Sequence, residues 1–204
     1  APAGAPACRR NAALAAVLAL NAAAALWLLP AGEAVEPETV LYLTGTALMI
    51  GLALARPAPA ADDCRWWVYA LCAVSFYYPF AYQPVDLAGG SAGPAVLRAR
   101  IVFHILADVT LLTLGRSFAV LPALRGVRTG ALYRLVRHPV YALYMVADAC
   151  LLLVQPSAWN GAVAFAGAST FVLRAGLEER VLQRDAGYQE YMQRVRWRFI
   201  PWVY

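Results

Sequence analysis

The sequence predicts an all-α, polytopic integral membrane protein with about six (five to six) transmembrane helices, and three observations lead there. The 204 residues are 62% hydrophobic and only 14% charged, with a mean hydropathy of +0.56, which is far more apolar than an ordinary soluble domain. Six apolar stretches recur at about 12–29, 38–55, 66–81, 101–115, 140–155 and 157–177, and a bilayer core asks roughly 17 to 25 such residues of each helix. The arginines are also divided unevenly between the connecting segments, as the positive-inside rule requires of a membrane protein.

The first stretch follows Arg9 and Arg10 and resembles the apolar region of a signal peptide, but it is long and the Pro30-Ala-Gly behind it forms no cleavage pattern. It is therefore read as a span. RPAPA (56–60) and LAGGSAGPA (87–95) read as loops. The third, fourth and fifth stretches are short, and the third and fourth leave re-entrant or tilted readings open. With a cytoplasmic N-terminus, only Arg98 and Arg100 fall outside and the other fifteen arginines fall inside, whereas Glu33, Glu36, Glu38 and Asp86 lie outside. That bias predicts an even number of crossings with both termini cytoplasmic. An all-arginine, alanine-rich chain points to a GC-rich bacterial genome and so to a bacterial inner membrane. The net charge of +5 suits the anionic surface of the lipid bilayer as partner, and no nucleic acid is expected because a soluble basic face is missing. Cys8, Cys64, Cys72 and Cys150 form no CxxC pair and read as free thiols, and no metal site is expected. No repeat is visible, so 1–204 is read as one membrane domain, with N-terminal transmembrane helices in 1–115. No motif specifies an oligomeric state.

Two stretches, 116–139 and 178–204, combine arginines, tyrosines and acids, and the predicted topology puts both on one membrane face, where they can meet. In the first, Gly126 and Gly130 permit tight turns and Pro139 suits the first turn of the fifth helix. His138 precedes that helix, near unsatisfied N–H groups that favour anions. In the second, Glu178 and Glu179 sit at the C-terminal end of the last span, the unfavourable end of a helix dipole for acids; such a pair asks for a cation. Each feature also has a plainer use: boundary arginines snorkel, and tyrosines and tryptophans, including Trp197 and Trp202, form interface belts. His104 and Asp108 lie four apart on one helix face, and Asp148 lies inside the fifth stretch. Ionisable groups there are costly and usually paired or functional. An Asp–His or Asp–Arg bond between helices is the structural reading, and lining a substrate tunnel is the functional one. Phe76, Tyr77, Tyr78, Phe80 and Tyr82, with Pro79, read as packing and belt residues or as tunnel walls.

The joint pattern resembles a family. Gly130-Ala-Leu-Tyr133-Arg-Leu-Val-Arg137-His138-Pro139-Val-Tyr141 is similar to the G-x-Y-x-x-x-R-H-P-x-Y signature of the isoprenylcysteine carboxyl methyltransferase and phospholipid methyltransferase superfamily. Phe171, Arg174, Glu178-Glu179, Leu182, Gly187-Tyr188, Tyr191, Arg194-Val195 and Pro201 resemble its C-terminal pattern, and Leu114-Gly115-Arg116-Ser117 is similar to bacterial members. The likeness covers about 95 residues of the C-terminal half.

The resemblance implies a methyltransferase using S-adenosylmethionine and releasing S-adenosylhomocysteine, with 116–204 as its cofactor-binding core; the chain has no GxGxxG of the soluble dinucleotide folds. Carried over by residue, Tyr133, Arg137, His138, Pro139, Tyr141, Glu178, Glu179, Tyr188 and Tyr191 are cofactor-site candidates. Arg137 or His138 suits a carboxylate, and Glu178 or Glu179 suits ribose hydroxyls or an ammonium. Arg174 or Arg194 would orient a carboxylate acceptor, and His138 would help to deprotonate a thiol or phenol. Arg174, His104, Asp108 and Asp148 are candidates for binding a lipophilic small-molecule or lipid substrate, with a carboxylate acceptor favoured over a thiol, amine or phenol. The rivals are an NADPH-dependent membrane reductase of the sterol-reductase type, whose 2′-phosphate would prefer arginines where the glutamates stand, and a non-enzymatic membrane binding protein.

Overall fold

The computed structural model describes residues 7–27, 37–63, 65–83 and 93–203. Most of these belong to seven helices: α1 (Ala7–Trp27), α2 (Pro37–Ala55), α3 (Trp66–Tyr77), α4 (Gly93–Leu114), α5 (Pro139–Val154), α6 (Ala158–Leu182) and α7 (Ala186–Arg194). A short antiparallel pair, β1 (Ala61–Asp62) and β2 (Ala123–Leu124), sets Ala61 opposite Leu124 and fastens the α2–α3 connection to the segment after α4.

Helices stand where the apolar stretches predict them, but the polytopic membrane architecture is overturned: no helix among the described residues is long and apolar enough to cross a membrane. The reasons lie in particular elements. Helices α3 and α5 have 12 and 16 residues, against the roughly 20 that a 30 Å hydrocarbon core requires. Helix α4 has 22 residues but includes Arg98, Arg100 and Asp108. Helix α6 has 25 and includes Asn160, Arg174, Glu178, Glu179 and Arg180. The six-crossing topology and the inner-membrane localisation with both termini cytoplasmic rest on those spans and fall with them. Several of the interrupting residues turn inward: Arg100, Asn160, Arg174 and Glu179 are all buried.

Local chemistry sets the element ends. Helix α4 starts at Gly93, inside a segment expected to be loop and well before residue 101, because Pro94 falls in its first turn, where the missing N–H costs nothing. It stops at Gly115, whose φ of +50° is the left-handed conformation of a helix end. Pro139 opens α5 as expected, behind a non-helical His138 (φ −126°, ψ 59°). Ser157 caps α6 by accepting from the Asn160 backbone N–H at 3.0 Å, and Asp185 caps α7 by accepting from that of Tyr188 at 3.1 Å. Gly126 has the positive φ (+118°) that its tight turn requires. Gly130 does not: its φ is −87°, and the left-handed residue is the next one, Ala131 (φ +50°), at a cost of about 1–2 kcal/mol.

Helix α4 packs along α5 and α1 along α2, and α6 touches both α3 and α5. Their shared interior is built from Ala53, Val68, Cys72, Ala107, Leu111 and Leu177, among others; each large aliphatic side chain buried there contributes about 1.5–3 kcal/mol. Cys72 and Cys150 are free and buried, in keeping with the thiol reading; Cys64 and the side chain of Cys8 lie outside the described residues.

A second cluster joins Tyr78, Val163 and Phe171. Tyr78 crosses α6 at Gly167 and donates its hydroxyl to Asp148 Oδ2 on α5 at 2.7 Å. The buried acid of the fifth segment is thus bonded between elements, though to a tyrosine rather than to a histidine or arginine. A Cβ on residue 167 would lie 2.4 Å from Tyr78 Cε2. Gly167→Ala is therefore expected to lower stability by about 1–3 kcal/mol through overpacking, read as a reduced midpoint in chemical denaturation. An unchanged midpoint would contradict this packing.

Candidate active site

The RHP turn and the end of the chain pair through their backbones: the N–H of Arg137 donates to the Trp197 carbonyl at 2.9 Å and that of His138 to the Arg198 carbonyl at 2.9 Å. Glu179 lies beneath this pairing with only 1% of its surface exposed. Its Oε1 accepts from Arg137 Nε at 2.8 Å and lies 3.2 Å from His138 Nε2; its Oε2 accepts from Arg198 Nε at 3.0 Å. Arg137 Nη1 donates further to the carbonyls of Val195 (2.9 Å) and Arg196 (2.6 Å). The anions at the start of α5 are therefore the protein's own carboxylates. They sit at the unfavourable end of α6 but beside the favourable end of α5.

Glu178 points the other way, into a cavity of about 520 Å³. It accepts the Tyr141 hydroxyl, and its Oε2 lies 3.7 Å from His138 Nδ1. Arg174 Nη2 lies 3.8 Å from its Oε1. The Arg174 guanidinium sits 5.2 Å above the Tyr141 ring and donates to Ser75 Oγ (2.6 Å) and the Val120 carbonyl (2.8 Å). The Tyr141 ring stacks on Phe171 at 5.0 Å and lies parallel to His138 at 5.7 Å.

The cavity gathers most of the residues singled out in the sequence. Tyr133, Arg137, His138, Tyr141, Glu178, Tyr188 and Tyr191 line one end, with Arg174 behind them. His104, Asp108 and Asp148 line it too, as do Phe76, Tyr78, Pro79 and Phe80; Tyr77 and Tyr82 do not. Three of the cofactor- and acceptor-site candidates also lie outside the lining. Pro139 is buried in the helix start, Glu179 is held in the ion-pair cluster, and Arg194 is exposed on α7, so Arg194 has no place as an acceptor-orienting group. Sequence reading missed Arg198, which closes the Glu179 cluster, and Ser75, which holds Arg174. Neither carries a local signal: Arg198 lies in an irregular tail without periodicity, and Ser75 reads as an ordinary small helix residue.

Burial raises the hydroxyls of Tyr133, Tyr188 and Tyr191 well above the ordinary tyrosine range, with nearby glutamates adding to the effect. These groups are neutral donors or acceptors, not bases. Burial also disfavours the charged form of Glu179, but the hydrogen bonds from His138, Arg198 and Arg137 outweigh it and hold the carboxyl at about 2. No family model matches the chain, and no curated protein matches it.

Two expectations follow from the Glu179 cluster. Glu179→Ala leaves Arg137 buried without its carboxylate and should destabilise the protein by about 3–5 kcal/mol. Because the folded carboxyl lies at about 2 rather than the ordinary 4.5, its ionisation favours the folded state fully above pH 4.5 and progressively less as pH falls toward 2. The stability difference between the unaltered protein and Glu179→Gln, measured by denaturant titration, should shrink across that window. A difference constant with pH would contradict the assignment.

Proposed function

We propose that this chain is an S-adenosylmethionine-dependent methyltransferase related to the isoprenylcysteine carboxyl methyltransferase and phospholipid methyltransferase superfamily, acting on a lipophilic acceptor. One observation carries the reading. Three motif pieces, the Tyr133–Tyr141 turn and, roughly 40 to 50 residues further along the chain, Glu178 and the Tyr188–Tyr191 helix, converge on one cavity. Ion-pair anchoring alone would hold the turn to the tail but would not require tyrosines, a free-facing glutamate and an arginine to surround a void.

The groups present fit such a donor. The Tyr188 hydroxyl is buried at the cavity with no hydrogen-bond partner among the described residues, and an orphaned buried hydroxyl is costly unless something else satisfies it. Arg137 uses Nε and Nη1 on protein groups, which leaves Nη2 to meet a carboxylate through one charge-assisted nitrogen. Glu178 is the acid in reach of an ammonium or of ribose hydroxyls, and the tyrosine faces suit an adenine or a sulfonium. S-adenosylmethionine, when bound, supplies an activated methyl group. The chain's part is positional: the aromatic wall of Tyr141, Tyr144 and Phe171 excludes water, and Arg174 and Glu178 fix the Tyr141 ring between them. Apolar groups such as Leu41, Met49, Phe76, Ile101 and Leu111 also line the cavity, which suits a lipophilic acceptor.

S-adenosylhomocysteine is expected to raise the melting temperature of the purified protein, and NADPH is not. Tyr188→Phe, which keeps the ring and removes the orphaned hydroxyl, should weaken S-adenosylhomocysteine binding about 3- to 10-fold without loss of fold. Stabilisation by NADPH alone would favour a reductase, and stabilisation by neither would overturn the reading.

A further inference from the structure

Three buried cations line the cavity, and each faces an acid. Arg137 pairs with Glu179 at 2.8 Å, Arg174 lies 3.8 Å from Glu178, and Arg100 bears electrostatically on Asp148. Asp108 is different. It is half-buried and lines the cavity, yet among the described residues no cation or hydrogen-bond donor meets its carboxylate, and burial alone pushes the carboxyl up to about 6. The placement is built: α2 presents Gly45 to Asp108 so closely that a Cβ there would lie 2.9 Å from Oδ1. Tyr144, also in the lining, brings a hydroxyl toward the same region, where Asp108 acts on it electrostatically. His104, one turn earlier on α4, turns its Nδ1 to the Arg100 carbonyl at 3.0 Å.

A desolvated carboxylate facing a cavity without a counter-charge is unfavourable unless a ligand supplies one. A carboxylate acceptor would not supply it. It would add a like charge, and the arginine expected to orient it, Arg174, already directs Nη1 to Ser75 and Nη2 to Val120.

We propose that the cavity takes a lipophilic amine, with Asp108 binding its ammonium group while the apolar walls of α2, α3 and α4 hold its hydrocarbon. The inference rests on the methyl-transfer reading only in making that amine the acceptor.

The test is calorimetric titration of the purified protein at pH 8, where Asp108 is ionised, with decylamine, decanol and decanoate below their aggregation limits. Decylamine should bind at least about tenfold more tightly than decanol, and decanoate more weakly than either. Asp108→Asn should remove the preference for the amine, leave decanol binding unchanged, and retain the circular dichroism of the folded protein. Equal affinity for amine and alcohol, tighter binding of decanoate, or an unchanged preference in a folded Asp108→Asn would overturn the assignment. If the variant does not fold, the three-ligand series on the unaltered protein decides alone. S-adenosylhomocysteine is titrated separately: binding of it without an amine preference rejects the Asp108 assignment and leaves methyl transfer standing. An amine preference without S-adenosylhomocysteine binding does the reverse.

Discussion

The ion pair between Arg137 and Glu179 is the constraint on which the rest of the site depends. With Arg198 and the backbone pairing of the turn to the tail, it ties three parts of the chain: the turn before α5, the last third of α6, and the irregular segment after α7. Two charges buried this deeply are tolerated because most of their remaining hydrogen-bonding capacity is met, on one side by Arg198 and His138 and on the other by the carbonyls of Val195 and Arg196. Its importance is geometric more than energetic, since a buried pair offsets much of its own attraction in lost hydration. Once it is formed, Glu179 cannot turn outward, and its neighbour Glu178 must face the cavity.

From that division of labour follows the polarity of the cavity. One end is ringed by tyrosines held neutral by burial, a glutamate and a partly committed arginine. The other is aliphatic and aromatic, interrupted by Asp108 and by the Tyr78–Asp148 bond. Tyr141 stands with the polar groups, hydrogen-bonded to Glu178, stacked on Phe171 and covered by Arg174. A chamber with a polar end and an apolar end is the arrangement that a charged donor and a lipophilic partner would require.

The helices were legible in the sequence because long apolar runs between Pro/Gly-rich breaks have few other outcomes; the meeting of the RHP turn with the glutamate pair was expected from a shared membrane face, which does not hold, and from the family resemblance. The membrane reading failed for a physical reason. Hydropathy averages over a segment and does not register that Arg100, Asp148, Asn160 and Arg174 are turned inward to partners inside the protein. The difference between Glu178 and Glu179 was also illegible, since adjacent helix positions differ by about 100° in direction and only the surrounding helices decide which one faces the cavity. Arg198 and Ser75 act through tertiary contacts that no local pattern announces. At Ala131 the left-handed turn falls one residue beyond the glycine that suggested it, because propensity marks where a turn is easy and packing decides where it is made.

The most direct test of the central claim, that the turn and the glutamate-bearing helix enclose one donor site, is ultraviolet cross-linking of radiolabelled S-adenosylmethionine followed by peptide mapping. Label is predicted on peptides containing Tyr133–Tyr141 and Glu178–Tyr191, and excess S-adenosylhomocysteine should suppress both together. Label that S-adenosylhomocysteine does not suppress, or that is confined to the α2 and α3 side of the cavity, would contradict the account.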